Sequence, residues 1–225
     1  MSDCLPPILG CDVSSSEIVI ACAQVKEAVQ TIANTPRAIR AWLQQLPEPA
    51  IIGMEATGRY HQILANEAAL KGHRVYVINP KHLSLYAQGI GQRGKTDLLD
   101  ARVIARYVAR EGDRLHPYTV PTPMQRQLRS LLSQRAGVVK HCVAIRQCLL
   151  TTQSAGGALR RAQQRALQSL HGLIAALDGQ LQASLKADAA LEQKRCLLQT
   201  IAGVGLLNSL ALTQRLMRTP FHNSD

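Results

Sequence analysis

Apolar positions in the first half of the chain come in short runs separated by polar breaks. Ile8–Val13 and Glu17–Ala23 are predicted strands around a Ser14-Ser15-Ser16 turn, and Val25–Ile32 completes a three-strand meander. Thr35-Pro36 pairs a capping residue with proline at the first helical position, predicting a helix to about Leu46, where Pro47-Glu48-Pro49 ends it. Ala50–Met54 is a fourth strand, Tyr60–Lys71 a helix closed by Gly72, and Arg74–Ile78 a fifth strand ending at Asn79-Pro80. Residues 88–94 (QGIGQRG) read as a glycine-rich loop. Thr96–Arg110 follows as an amphipathic helix with Leu99, Val103, Ile104, Tyr107 and Val108 on its apolar side.

After His116-Pro117 and Pro121-Thr122-Pro123 the period changes. A long helix is predicted to about Gln153, with Leu128, Leu131 or Leu132, Arg135, Val138 or Val139, Cys142, Ile145 and Leu149 at three- and four-residue steps. Gly156-Gly157 breaks it, and a second long helix carries Leu167, Leu170, Ile174, Leu177, Leu181 and Leu185 to about residue 187. Two such helices around a glycine turn imply an antiparallel hairpin or coiled coil, with a spare apolar stripe for a second subunit. From Leu191 on, a helix, the turn Ile201-Ala202-Gly203-Val204-Gly205 and a further helix are expected. The order strand, strand, strand, helix, strand, helix, strand, helix is that of a ribonuclease H-like α/β fold. Three regions follow: an α/β domain over 1–115, a helical hairpin over 116–190, and a short helical C-terminal fragment over 191–225.

Charge adds a functional direction. The 26 Lys and Arg outnumber the 15 Asp and Glu, and the excess is local. Residues 1–113 hold 12 basic and 11 acidic side chains, whereas 114–177 hold nine basic and no acidic ones. A solubilising face would mix both signs, so the block predicts a polyanion, with each neutralised phosphate releasing counterions. Arg126, Arg129, Arg160 and Arg161 represent it. The six Cys residues form no C-x-x-C pair, and the start lacks a signal-peptide pattern, which points to reduced thiols in a cytoplasm. No apolar run is long enough for a membrane span.

Four carboxylates stand out from the solvated remainder. Asp12 lies inside an apolar run, Glu55 ends Ile51-Ile52-Gly53-Met54, and Asp97 and Asp100 occupy i and i+3 on one helix face. Like charges placed this way cost stability unless compensated, and oxygen ligands suit Mg²⁺ or Mn²⁺. Strand one, the end of strand four and the last helix converge at one edge of a ribonuclease H-like sheet, so the four are expected in one two-metal cluster for phosphoryl displacement. Gln92-Arg93-Gly94-Lys95 precedes the Asp pair, and Arg93 and Lys95 are placed to hold a substrate phosphate. The G-x-G-x-x-G within residues 89–94 follows no strand of a βαβ unit, so a dinucleotide site is excluded. Gly203-Val204-Gly205 resembles a helix-hairpin-helix turn. The seven His residues form no metal-type pair.

GCDVSSSEIVIA, GMEATGRYHQILANEAALKGHRVYVINPKHLSLYA and GQRGKTDLLDARVIARYVARE resemble the catalytic domain of DEDD transposases. These are the RuvC-like recombinases of the IS110 group of bacterial insertion sequences, relatives of Piv-type DNA invertases. The resemblance spans roughly residues 7–112, weakens through the hairpin, and resumes at LLQTIAGVGLLNSLAL (197–212). It implies Asp12, Glu55, Asp97 and Asp100 as the catalytic, metal-binding set, Mg²⁺ as cofactor, insertion-sequence DNA as substrate, and in some members a structured guide RNA. The family's C-terminal domain continues to a catalytic serine. Residues 213–225 do not resemble it, and Ser209 and Ser224 match no serine motif, so the chain is expected to bind and nick DNA without completing strand exchange. Competing readings are a structure-specific RuvC-like nuclease and a non-catalytic nucleic-acid-binding remnant.

Overall fold

The computed structural model describes residues 5–25, 28–47, 49–56, 58–92, 94, 96–151 and 156–216. They fall into two compact units, Met1–Val120 and Pro121–Asp225. Residues 189–216 share the second unit with the two long helices that precede them.

The first unit is built on a five-stranded sheet. β1 (Ile8–Val13), β2 (Glu17–Cys22), β3 (Val29–Ala33), β4 (Ile51–Glu55) and β5 (Arg74–Ile78) lie in the order β3-β2-β1-β4-β5. β1, β2 and β3 pair antiparallel, and β4 and β5 add in parallel on the other side of β1. Ser14 makes the first turn tight, because its hydroxyl donates to the Glu17 carbonyl at 2.9 Å and accepts from the Glu17 N–H. β3 starts later than its apolar pattern suggested: the Ala28 N–H bonds the Val25 carbonyl in a turn, and pairing begins at Val29 opposite Ala21.

Alternation of side chains sorts the sheet into two faces. Leu9, Cys11, Val13, Ile52, Met54 and Val75 join one core cluster with Ile39, Trp42 and Leu43 of α1 (Pro36–Leu43) and Leu64, Ala65 and Ala68 of α2 (Gln62–Leu70). Tyr76 and Ile78 pack on the opposite face with Leu83 of α3 (Pro80–Gly89) and Ile104 and Val108 of α4 (Asp97–Glu111). α3 was not expected. Asn79-Pro80 does end β5, but Asn79 also caps a helix, accepting the Lys81 N–H at 2.9 Å with Pro80 at the first helical position.

In the second unit, α5 (Pro123–Thr151) and α6 (Gly157–Lys186) are each about 45 Å long. Thr122 and Gln125 exchange bonds at the start of α5, Thr122 Oγ1 accepting from the Gln125 N–H and Gln125 Oε1 from the Thr122 N–H. Gln127 bonds Ser184 and Arg135 bonds Asp178, so partner numbers fall as α5 advances and the pair is antiparallel. Leu128 and Leu131 pack against Leu177, Leu181 and Leu185, and the cluster extends to Leu191 of α7 (Ala189–Gln199) and Leu210 of α8 (Leu206–Leu216). Among the described residues, no helix is long and apolar enough to cross a membrane.

Candidate active site

Two glycines determine how close α4 comes to the sheet. A Cβ at Gly10 would fall 2.1 Å from the Ala101 carbonyl oxygen and 2.3 Å from the Ala105 nitrogen, so strand and helix backbones are in direct contact. At Gly53 the nearest atom would be Val108 Cγ2, at 2.4 Å. Asp12 lies two residues beyond Gly10, and Glu55 two beyond Gly53. The pleat therefore directs both toward the face that α4 covers. Their strands are neighbours: Gly10 pairs with Gly53 and Cys11 with Met54, leaving Asp12 and Glu55 each one residue further on.

α4 brings the other two carboxylates. Thr96 caps it, accepting the Leu99 N–H at 3.3 Å, and Gly94 precedes it with a φ of 93° that favours glycine. Asp97 and Asp100 sit in the first turn, where the helix dipole favours negative charge. Glu55 and Asp100 both line one cleft of about 360 Å³ between α3 and α4. Asp12, Glu55 and Asp100 are half-buried, whereas Asp97 is exposed and does not line the cleft. Burial, reinforced by the adjacent Asp12 carboxylate, pushes the Cys11 thiol far up, so it is an inert neighbour.

The structure brings Glu55 and Asp100 to one cleft and puts Asp12 on the sheet face that α4 covers, but it does not gather the expected four into one ligand cluster. Among the described residues, no three His, Cys, Asp or Glu side chains stand close enough together to hold a metal ion. The donor set consists of hard carboxylate oxygens, which suits Mg²⁺ or Mn²⁺ in chemistry. Glu55 and Asp100 are the pair that the cleft brings together.

The other expected site residues separate by unit. Arg93 and Lys95 lie outside the described residues. Arg126, Arg129, Arg160 and Arg161 are exposed on the hairpin. They do not make one patch, because in an antiparallel pair the start of α5 and the start of α6 are at opposite ends. Arg146 and Arg165 add to the end that holds Arg160 and Arg161. Arg161 and Arg165 line a hollow of about 500 Å³ with Gln164, Gln168 and His171. Arg135 is committed elsewhere, its guanidinium bonding both carboxylate oxygens of Asp178 at 2.5 and 3.2 Å. Ser209 is buried and donates to the Leu206 carbonyl at 2.7 Å, a bond within its own helix, and Ser224 lies outside the described residues. His73 is a core residue, its Nδ1 accepting the Ala50 N–H. Sequence reading missed the α3 wall of the cleft, which the Asn79-Pro80 pair would have revealed as a helix start.

Residues 9–152 match the model of the DEDD transposases of the IS110 type, described as "Transposase". The chain belongs to this family. The matched residues contain the α/β sheet from Leu9 on, α4 and all of α5. The chain is 31% identical over 153 residues to the pilin gene-inverting protein of Moraxella bovis, covering 68% of this chain and 46% of that one. The namesake from Moraxella lacunata matches at the same identity and coverage. A probable family 20 transposase of Pseudomonas aeruginosa is 26% identical over 205 residues, 77% of this chain and 57% of that protein. The chain thus spans about half the length of the curated relatives it matches.

Proposed function

We propose that the first unit is a ribonuclease H-like (RuvC-like) catalytic domain of a DNA transposase or site-specific recombinase. In this reading it cleaves DNA strands at insertion-sequence ends through Asp12, Glu55, Asp97 and Asp100. The observation that carries the proposal is the shared cleft of Glu55 and Asp100, with Asp12 near the end of the neighbouring strand on the same face. The strand order, with β1 central between an antiparallel pair and a parallel pair, supports the fold assignment. The named relatives invert a pilin gene or are a probable transposase, and both are DNA rearrangements.

Glu55 and Asp100 would hold a Mg²⁺ or Mn²⁺ ion, and the family resemblance assigns Asp12 and Asp97 to the same ligand set. When bound, the ion would offset the carboxylates' repulsion and polarise a phosphate oxygen. The protein's own contribution is placement. The glycine-seated α4 fixes Asp97 and Asp100 relative to the strand ends, and the α3–α4 walls limit the water around the cleft. The hairpin, proposed as a coiled coil that also joins two subunits, supplies cations for the DNA backbone. A structured guide RNA is a further partner in this reading, by family resemblance alone.

Nicking of a supercoiled plasmid carrying insertion-sequence ends, in Mg²⁺ or Mn²⁺, tests the proposal. Asp100→Asn and Asp12→Asn are expected to abolish nicking with DNA affinity unchanged. Asp97→Asn is expected to weaken Mn²⁺ binding while leaving the fold intact. Nicking that survives Asp100→Asn would favour a site elsewhere.

A further inference from the structure

We infer that the α3 wall of the cleft is a nucleobase-reading surface, on which Ser84, Gln88 and Gln92 take one unpaired nucleotide of the DNA strand. The inference rests on the proposed DNA-cleaving function and names the substrate feature that the same cleft would recognise. Its first basis is composition. Positions 80, 83, 84, 87 and 88 are spaced as one face of a helix, and all five line the cleft. Pro80, Leu83, Ser84, Ala87 and Gln88 carry no charge, whereas Lys81 and His82 of the same helix do not line the cleft.

The second basis is electrostatic. No Lys, Arg or His is among the described lining residues, and Glu55 and Asp100 are both there. Both carboxylates come from β4 and α4, where the proposed ion and the backbone phosphate would lie, and the described residues of the α3 wall are neutral, so that wall suits an uncharged moiety. The chemistry available to that moiety is the third basis. Gln88 Nε2 donates to Ser84 Oγ at 3.4 Å, which orients the amide along the helix, and Gln92 continues the polar row. An amide offers both a donor and an acceptor to a base edge, the pairing by which glutamine reads a purine. Leu83 and Ile104, buried in one cluster, give the same cleft an apolar lining, and Ala87 adds a small side chain to it. A flat heterocycle needs such a lining on its face and polar groups at its edge. The volume of about 360 Å³ lies at the small end of ligand sites and accommodates one nucleotide. A base that meets this wall with its edge and the apolar lining with its face must leave its stack.

Gln88 is exposed, so its replacement does not threaten the fold. The probe is a pool of single-stranded DNA 12-mers with four random central positions, selected on the full chain and sequenced. The wild-type chain is expected to enrich one base by about 10-fold at one position, the discrimination typical of a good base contact. Gln88→Ala and Gln92→Ala are expected to flatten that position while total affinity and its salt slope stay unchanged. An even base distribution with the wild-type chain, or an enrichment that both variants retain, overturns the inference. Enrichment from an RNA pool of the same design and not from DNA overturns the assignment to a DNA strand. The plasmid-nicking assay with Asp100→Asn separates the two ideas. Carboxylate-dependent nicking with no α3-dependent base preference removes this inference and leaves the catalytic reading intact.

Discussion

In the unit Met1–Val120 the closest packing is between backbones, the Gly10 strand lying against the Ala101–Ala105 segment of α4. In the unit Pro121–Asp225 the two long helices meet through leucines and through the Arg135–Asp178 ion pair. The difference follows from what each presents. A site that must bring residues from two strands and a helix to one rim needs the helix close to the sheet, and glycine alone permits that approach. A long hairpin that displays cations needs reach, which side-chain seams provide at ordinary helix spacing. The first unit holds its acidic and basic residues in near balance, whereas the hairpin concentrates one sign over most of its length.

Substitutions that act on one unit alone sharpen this contrast. The largest effect is expected from Gly10→Val, whose side chain would enter the α4 backbone. About 3 kcal/mol or more of stability should be lost from the first unit. Trp42, the one tryptophan and buried in that unit, reports its unfolding by fluorescence, while far-ultraviolet circular dichroism should retain the helical signal of the second. Loss of both signals together would contradict the independence of the two cores. Next in size, reversing Arg126, Arg129, Arg160 and Arg161 to Glu should weaken duplex DNA binding by on the order of 100-fold, about 2.7 kcal/mol. The wild-type salt dependence should have a log–log slope of roughly −4 to −5 if about five cations reach phosphates. The Arg160 and Arg161 pair should account for more of the loss than the other two, because Arg146 and Arg165 share its end of the hairpin. Unchanged anisotropy titrations would move the binding surface to the Arg93–Lys95 loop.

A smaller change separates packing from binding within the hairpin. Arg135→Ala should destabilise the second unit by about 1 kcal/mol and leave DNA affinity intact, since its charge is already paired with Asp178. A drop in affinity equal to that of an exposed arginine would show that the pair opens for phosphate. The smallest effect concerns the Arg40–Glu67 bridge between α1 and α2, at 2.7 Å. Its hydrogen bond and charge hold the Glu67 carboxyl below its ordinary value of 4.5. Stability from this pair is therefore present above that value and is lost as pH falls through the lowered one. Glu67→Gln should cost about 0.5 kcal/mol at pH 7 and nothing in strong acid, read from Trp42 melts across pH.

Much of this arrangement was legible in the chain. β1, β2, β4 and β5 follow their apolar runs, α4 begins at the capping threonine, and the hairpin seam follows the three- and four-residue steps. Asp12 and Glu55 drew attention because a charge in or at the end of an apolar strand needs a reason. α3 escaped because Asn79-Pro80 has two physical meanings, a strand terminator and a cap with proline at the first turn, and only the first was applied. Gly10 and Gly53 also carried no signal. A glycine inside a strand reads equally as a bulge or as a close contact until the covering helix is known. The split of the hairpin cations between opposite ends depends on helix direction, which the charge count does not contain.

The seating of α4 on Gly10 also sets an order of events during synthesis. β1 emerges early, yet its cover arrives only with residues 101–108, after β4 has paired beside it across about 40 intervening residues. Contacts this distant in the chain are slow to form, whereas a helical hairpin closes locally and quickly. The nascent first unit must therefore wait, with the face of β1 that α4 will cover still open, until α4 has left the ribosome. During that interval its apolar strands are available to chaperones and to wrong partners.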